Sequence, residues 1–237
     1  MLRQFERQVP IFPLVLLFMA ATSVHVHAQV IKSGPGTCPG VALTFDLCPV
    51  RGGSGYDQRL IEYLIEHRVP ATFFMSGNWM TKHDEQVKNM LRIPFFEFGT
   101  HGEVHAHLPM HSPQEQEQEI LGPVRLLNTK YGHKTSLFRP PYGEFNDDTV
   151  NVAKALGLQF ILWSVVSGDP DPTLSVEQIE RRLARLTRNG SIIVLHANGK
   201  GKHTYEAVAH LYENLLPQRH LTPMTVSQVL SCPPPKP

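Results

Sequence analysis

The chain has 237 residues, enough for one domain of moderate size with a proper hydrophobic core. Its 22 lysines and arginines nearly balance 21 aspartates and glutamates, and 41% of its residues are hydrophobic. This balance is typical of a globular protein and excludes a disordered chain. Because no basic or acidic run is present, we expect neither a nucleic-acid partner nor binding to an anionic membrane surface.

The N-terminus has the layout of a secretory signal peptide. Arg3 and Arg7 precede an apolar run over residues 11–21, and Val26-His27-Ala28 is a small-x-small cleavage site. The run is short for a membrane span, although an uncleaved N-terminal anchor is the alternative interpretation. We therefore expect a signal peptide over residues 1–28, a secreted or periplasmic mature protein, and no stable membrane span after cleavage.

Predicted strands and helices alternate along the rest of the chain. Short apolar runs predict strands over residues 41–45, 70–75, 95–98, 136–138, 159–165 and 191–195. Helical spacing of apolar residues predicts helices near residues 60–65, 82–91, 113–131, 146–156, 175–187 and 204–216. This alternation predicts βα units around a mostly parallel sheet or barrel.

Side chains able to do chemistry follow the ends of these strands. They are Asp46, His101, His105, Arg139, Asp169 and His196. Because the carboxyl ends of parallel strands meet at one edge, we expect these side chains to gather at a single rim. Two histidines four residues apart can bind one metal ion, and imidazole suits zinc, cobalt and nickel. The spacing alone fits a metal site and ordinary surface histidines equally well, and the other side chains expected at the same rim favour the metal site.

Five short motifs occur in one order along the chain. They are Thr44-Phe45-Asp46, His101-Gly102-Glu103-Val104-His105, Arg139-Pro140-Pro141-Tyr142, the segment Trp163 to Pro170, and Leu195-His196. Together they resemble the motifs of the polysaccharide deacetylases of carbohydrate esterase family 4, built on the NodB homology domain. The resemblance implies a single-domain α/β fold, a distorted (β/α) barrel, over residues 41–230. Residues 29–40 are then a lead-in and residues 231–237 a Pro-rich tail.

The resemblance also implies a reaction, the metal-assisted hydrolysis of N-acetyl groups on a polymer containing N-acetylglucosamine. Peptidoglycan, poly-N-acetylglucosamine and chitin-like oligomers are the candidate substrates, and zinc is expected before cobalt or nickel. By resemblance, Asp46 is the general base, and His101 and His105 are metal ligands. Arg139 then holds the base through a charge-assisted hydrogen bond.

The remaining roles carried over by resemblance concern the acid and the substrate. His196 is the general acid, and Asp169 is the best candidate for orienting it. The backbone N–H of Tyr142 stabilises the oxyanion. Leu195 lines the pocket for the acetyl methyl group, and Trp163 forms core or groove wall.

The sequence departs from the family pattern at three positions. Leu47 stands where the family has a second aspartate that binds the metal, and Val166 replaces another expected aspartate. Three interpretations stay open for the missing ligand: Asp46 itself binds the metal, the Cys48 thiolate supplies the ligand, or the metal site is weak. Pro170 also replaces a common tryptophan.

These departures keep two alternatives beside the N-deacetylase. One is a non-catalytic cell-envelope protein that binds carbohydrate in the same groove, and the other is an O-acetyl esterase acting on xylan-like polymers. We expect a monomer. Because chain ends often lie close together, we also expect a Cys38–Cys232 disulfide, which leaves Cys48 as a free thiol.

Overall fold

The computed structural model describes residues 30–233, which form a sheet of parallel strands with helices packed on it. The strands are β1 (Val30–Ile31), β2 (Gly40–Leu47), β3 (Ala71–Met75), β4 (Phe96–Thr100), β5 (Leu137–Phe138), β6 (Gln159–Ile161), β7 (Val165–Val166), β8 (Ile192–His196) and β9 (Thr222–Met224). The helices are α1 (Gln58–Glu66), α2 (Gly77–Lys82), α3 (Asp84–Met90), α4 (Pro113–Tyr131), α5 (Asp147–Ala155), α6 (Val176–Leu186), α7 (Thr204–His210), α8 (Leu216–Gln218) and α9 (Val226–Leu230). Every pairing among these strands is parallel, which confirms the prediction of βα units.

The sheet curls because its two ends are tied together. Its strand order is β1-β6-β5-β4-β3-β2-β8-β7, with β9 beside the start of β2. Only residues 162–164 join β6 to β7, and so short a link spans roughly 13 Å. In this link, which we call the seam, the N–H of Leu162 donates to Ile31 O at 2.7 Å and that of Ser164 donates to Ile192 O at 3.0 Å. The expected distorted (β/α) barrel is therefore confirmed.

The alternation of side chains along β2 separates the core from the site. Its odd-numbered residues belong to the large apolar cluster under the helices; they are Val41, Leu43, Phe45 and Leu47. Ala42 belongs to a second cluster with Phe74 and Leu137 on the opposite face, which is the barrel interior. Because side chains alternate along a strand, Asp46 shares the interior face with Ala42.

Strand β4 ends later than the sequence predicts. Gly99 was expected to stop the strand, but β4 continues to Thr100, and His101 follows directly. A Cβ at Gly99 would lie 2.6 Å from the ring of Phe74, so this glycine permits close packing inside the sheet.

Two other predictions differ from the structure. The helix predicted over residues 82–91 is α3, and the preceding helix α2 was not predicted. The two helices meet at His83, whose ring stacks on Trp79 at a centroid distance of 4.6 Å. The second prediction concerns a strand. The strand predicted over residues 159–165 is β6 and β7, which pair at different ends of the sheet. Its apolar run continues through the seam, so hydrophobicity alone does not show the break.

Both ends of the described chain contribute structure that the sequence reading missed. Strands β1 and β9 and helix α9 were not predicted, while the expected Cys38–Cys232 disulfide is present. The predicted signal peptide over residues 1–28 and residues 234–237 of the tail lie outside the described residues. Within residues 30–233, no helix is both long and apolar enough to cross a membrane.

Candidate active site

A buried carboxylate lies at the centre of the rim formed by the strand ends. Asp46 is directly opposite His196 in the pairing of β2 with β8, and only 4% of it is exposed. Arg139 Nη1 donates to Asp46 Oδ1 at 2.8 Å, and His101 Nε2 lies 3.6 Å from Oδ2. Burial alone would raise the pKa of Asp46. Electrostatic interaction with His101, Arg139 and His196, together with the Arg139 hydrogen bond, outweighs burial and lowers that pKa.

The guanidinium of Arg139 is held in the barrel by several neighbours. The residue follows β5, and its N–H donates to Thr100 O at the end of β4. Its Nη2 donates to Leu162 O in the seam at 3.1 Å, and its Cζ lies 4.0 Å above the ring of Phe74. Two nitrogens and one face of the group are therefore engaged, whereas the buried Nε has no hydrogen-bond partner among the described residues. Through its ion pair, the orientation of Arg139 fixes that of Asp46.

The histidine pair lies immediately beyond β4. His101 Nδ1 donates to Arg139 O at 2.9 Å; since a carbonyl only accepts, the lone pair of the neutral ring is on Nε2. The ring of His105 lies 4.9 Å from that of His101, between centroids. Burial lowers the pKa of both rings, and burial together with the neighbouring ring of His101 lowers that of His105 to about 3. Both imidazoles are therefore neutral at pH 7, as metal ligation requires.

The two imidazoles of His101 and His105 are suitable as a pair of ligands for a divalent metal ion. In His101, Nδ1–H is hydrogen-bonded to a backbone carbonyl, so Nε2 is the nitrogen left to bind a metal. Metal-binding histidines are commonly oriented by a hydrogen bond of this kind. Within residues 30–233, however, no three His, Cys, Asp or Glu side chains are grouped to hold a metal ion. The carboxylate of Asp46, with Oδ2 at 3.6 Å from His101 Nε2, is a further candidate ligand beside the pair.

A second polar pair lies across the rim from the histidines. His196 Nδ1 lies 3.1 Å from Asp169 Oδ1, and the His196 N–H donates to Oδ2 at 2.9 Å. Ser167 Oγ and Thr204 Oγ1 also donate to this carboxylate, at 2.6 and 2.8 Å. Although burial opposes the charged ring, the hydrogen bond and charge of Asp169, aided by Asp46, raise the pKa of His196.

The loops after β4 and β5 form one wall of the site, and each contains a residue with strained backbone. Tyr142 has φ +61° and His105 has φ +66°, both in the left-handed region that disfavours residues with a side chain. The Tyr142 ring lies 4.4 Å from His105 and stacks on His107 at 4.1 Å and 4°. His107 Nδ1 lies 2.7 Å from Glu144 Oε2. The sequence spacing does not predict this stack, which brings His107 beside the cavity wall.

One cavity of about 170 Å³ is lined by most of the predicted site residues, namely Asp46, His101, His105, Tyr142, Asp169 and His196. Arg139 does not line it and contacts it through Asp46. Trp163 and Val194 also line it, but Leu195 does not, because its side chain lies in the large cluster under the helices. The structure thus corrects the expectation for Leu195. Residues 194 and 196 share the interior face of β8, whereas residue 195 faces the helices.

The family model of polysaccharide deacetylases matches residues 33–161, more than half of the chain. The chain belongs to the polysaccharide deacetylase family. A peptidoglycan-N-acetylglucosamine deacetylase of Bacillus cereus is 30% identical over 192 residues, which cover 80% of this chain and 87% of that protein. The enzyme class expected from the sequence is confirmed.

Two further comparisons extend this result. A chitooligosaccharide deacetylase of Sinorhizobium fredii is 30% identical over 166 residues, covering 70% of this chain and 74% of that protein. The crystal structure of a carbohydrate esterase family 4 pseudoenzyme from Bacillus anthracis shares the fold, with a TM-score of 0.77 and 24% identity. It aligns with 87% of this chain, covering 70% of its own.

Cys48, considered from the sequence as a third ligand in this deacetylase, has other contacts. Its thiol is buried, and Asn198 Nδ2 donates to its Sγ at 3.3 Å and to its backbone O at 3.0 Å. Burial, together with the charge of Asp46, raises the pKa of Cys48 to about 12. A neutral thiol is a poor metal ligand. Cys48 lines the cavity but does not complete a three-ligand group among the described residues.

Proposed function

We propose that this deacetylase hydrolyses N-acetyl groups on a polysaccharide containing N-acetylglucosamine, using a divalent metal, zinc before cobalt or nickel. The observation that carries the proposal is the grouping of an ionised carboxylate, two neutral imidazoles and a carboxylate-paired histidine around one cavity. Peptidoglycan, poly-N-acetylglucosamine and chitin-like oligomers are the proposed substrates, in keeping with the names of the relatives.

The chain's own groups supply the proton transfers of amide hydrolysis. Asp46 has a lowered pKa, so it is ionised at neutral pH and accepts a proton from the attacking water. Its ion pair with Arg139 keeps one carboxylate oxygen occupied and leaves the other facing the histidines. A metal held by His101 and His105 would supply Lewis acidity toward the acetyl carbonyl.

The opposite side of the cavity serves the leaving group. His196, whose pKa is raised by Asp169, gives its proton to the sugar nitrogen as the carbon–nitrogen bond breaks. Acetate and a free amine are the products. We assign the oxyanion to the Tyr142 N–H and the acetyl methyl group to the wall that Val194 and Trp163 form.

A second candidate function is carbohydrate binding without turnover. Leu47 favours it, because the position where the family has a metal-binding aspartate is occupied by a residue of the apolar core. We also propose that the chain acts outside the cytoplasm as a monomer, with the catalytic domain over residues 41–230.

The test is metal content and acetate release on the same purified protein, with and without chelator. We expect near-stoichiometric metal, chelator-sensitive acetate release from chitooligosaccharides, and a loss of about 100-fold or more in Asp46→Asn. Asp148→Asn, an exposed carboxylate in the first turn of α5, is the matched control and should keep full activity.

The other outcomes decide between the alternatives. Full activity in Asp46→Asn would contradict its role as base. Absence of both metal and acetate release after addition of zinc or cobalt would favour carbohydrate binding alone. Faster release from O-acetylated xylan than from N-acetylated oligomers would instead support the esterase alternative.

A further inference from the structure

One cation at the mouth of the active-site cavity has no place in the mechanism above. Lys200 lines the cavity together with His105 and His196, and its side chain is exposed to solvent. Lys200 is therefore part of the wall of the cavity that holds the proposed reacting groups.

The loop that carries Lys200 is anchored to the strand of the base. Asn198 is fully buried, and its Nδ2 donates to Cys48 O and Sγ just beyond the end of β2. Its Oδ1 accepts from the backbone N–H of Lys200 at 3.1 Å. Asn198 thus connects Cys48 at the end of β2 to the backbone N–H of Lys200. The buried thiol has a structural role, because it helps to position this loop.

The far end of the same loop is held by the partner of the acid. Thr204 Oγ1 donates to Asp169 Oδ2 at 2.8 Å and lies 3.3 Å from Gly201 O. A Cβ at Gly201 would lie 2.8 Å from Asp169 Oδ2, so the backbone passes directly over that carboxylate. Because the loop is held at both ends, the backbone of Lys200 has a defined position beside the cavity.

The carboxylates around the cavity are already engaged by other groups. Asp46 pairs with Arg139, Asp169 pairs with His196, and Glu144 contacts His107. Within residues 30–233, Lys200 forms no ion pair with a carboxylate. Val166, on the same cavity wall, is 47% exposed and adds no charge. The mouth therefore presents one positive charge that the protein does not neutralise.

We propose that Lys200 is a specificity-determining residue, which pairs with a carboxylate carried by the substrate beside the acetamido group. The substrate class is an N-acetylated sugar polymer with anionic units. This inference rests on the proposed function, because it concerns the same cavity. A carboxylate on the sugar ring at C6 and a carboxylate on an ether substituent at C3 have the same chemistry, and the test separates them.

The experiment compares three oligomers of matched length. They are N-acetylated chitooligosaccharide, the same oligomer oxidised to carboxylates at C6, and a glycan fragment containing N-acetylmuramic acid with a free lactyl carboxylate. Binding is measured by calorimetry and turnover by acetate release, for wild type, Lys200→Gln and Lys200→Arg. Lys202→Gln is the matched control, since Lys202 is exposed on the same loop and does not line the cavity.

We expect Lys200→Gln to weaken binding of a carboxylated oligomer about 3- to 5-fold and to leave the neutral oligomer unchanged. Lys200→Arg and Lys202→Gln should bind as wild type does. Raising the salt concentration should reduce the wild-type preference, because exposed charge pairs are screened. The carboxylated oligomer that loses affinity identifies the source of the anion.

Three results would overturn the inference: no preference of wild type for either carboxylated oligomer, an equal loss on neutral and carboxylated oligomers, or the same loss in Lys202→Gln. Failure of the proposed function has a different signature. Wild type would then prefer the carboxylated oligomer, lose that preference in Lys200→Gln, and release no acetate from any of the three.

Discussion

At the scale of single residues, the surroundings of two side chains shift their pKa values in opposite directions, so that one is a base and the other an acid. Asp46 is next to a buried guanidinium, which favours the ionised carboxylate, whereas His196 is next to a carboxylate, which favours the protonated ring. The two groups are opposite each other on neighbouring strands. One cavity therefore holds a deprotonated base and a protonated acid over the same pH range.

Changing the partner of the acid should move the alkaline limb of the pH profile. The raised pKa of His196 means that its acid form, and the activity, is present at low pH and lost as pH rises through that pKa. Asp169→Asn removes the charge that raises the pKa. We expect the alkaline limb of kcat to move down by about 1 pH unit, measured by acetate release.

Asp171→Asn is the control for this prediction, because Asp171 is exposed two residues along the same loop. Its pH profile should match that of wild type. An unchanged alkaline limb in Asp169→Asn, in a protein whose melting temperature shows that it folds, would mean that His196 is not the acid seen in the profile.

Several of these residues could be predicted because motif order and strand ends agree. Asp46, His101, Arg139 and His196 each follow or end a predicted strand, and the parallel sheet brings them together. Leu195 was misassigned, since choosing between residues 194 and 195 requires the face of β8. The role of Asn198 was not predictable, because its contact with Cys48 joins residues 150 apart in the chain.

At the scale of elements, strand β2 decides what residue 47 can do. Leu47 is the last residue of the strand, is fully buried and belongs to the cluster under the helices. Its backbone O accepts from the Ser76 N–H at 3.0 Å, which continues the pairing with β3. A side chain at this position faces the core, while that of Asp46 faces the cavity.

Replacing Leu47 with the aspartate of the family pattern should therefore harm the fold. We expect Leu47→Asp to lower the free energy of unfolding by about 3 kcal/mol or more, because an unpaired carboxylate is buried among apolar side chains. Metal content should not rise. Leu47→Met, the volume-conserving control, should cost less than about 1.5 kcal/mol in urea unfolding.

A stable Leu47→Asp protein with increased metal content would contradict this interpretation of β2. That result would mean that the strand end turns and presents residue 47 to the histidines.

Elements with strong end signals were predicted well. Helices α4 and α6 begin after Ser112 and Ser175, each of which forms a capping box, and α4 ends at Gly132 in the left-handed conformation. The short strands β1 and β9 carry too few residues for any periodicity. Their existence depends on pairing with β6 and β2, which is tertiary information.

At the scale of the whole molecule, one covalent link joins the two ends of the described chain. The Cys38–Cys232 disulfide spans 194 residues and connects the segment before β2 to the segment after α9. Both cysteines lie away from the rim where the strands end and the cavity opens. The bridge thus constrains the unfolded chain without contacting the site.

Removing this bridge should lower stability and spare activity. We expect Cys38→Ser/Cys232→Ser to lose about 2–4 kcal/mol of unfolding free energy in urea and to release acetate at the wild-type rate at 25 °C. Reductant should shift the wild-type midpoint and leave that of the double variant unchanged. A reductant effect on the double variant would point to Cys48 instead.

The guanidinium of Arg139 connects the catalytic carboxylate to the closure of the barrel. One nitrogen holds the carboxylate of Asp46, and another holds the carbonyl of Leu162 in the seam between opposite ends of the sheet. A local opening of the seam would therefore misplace the base long before the helices and the large cluster come apart. The rate of acetate release in this protein therefore depends on closure of the barrel. On heating, we expect this rate to fall at a lower temperature than the circular dichroism signal of the helices.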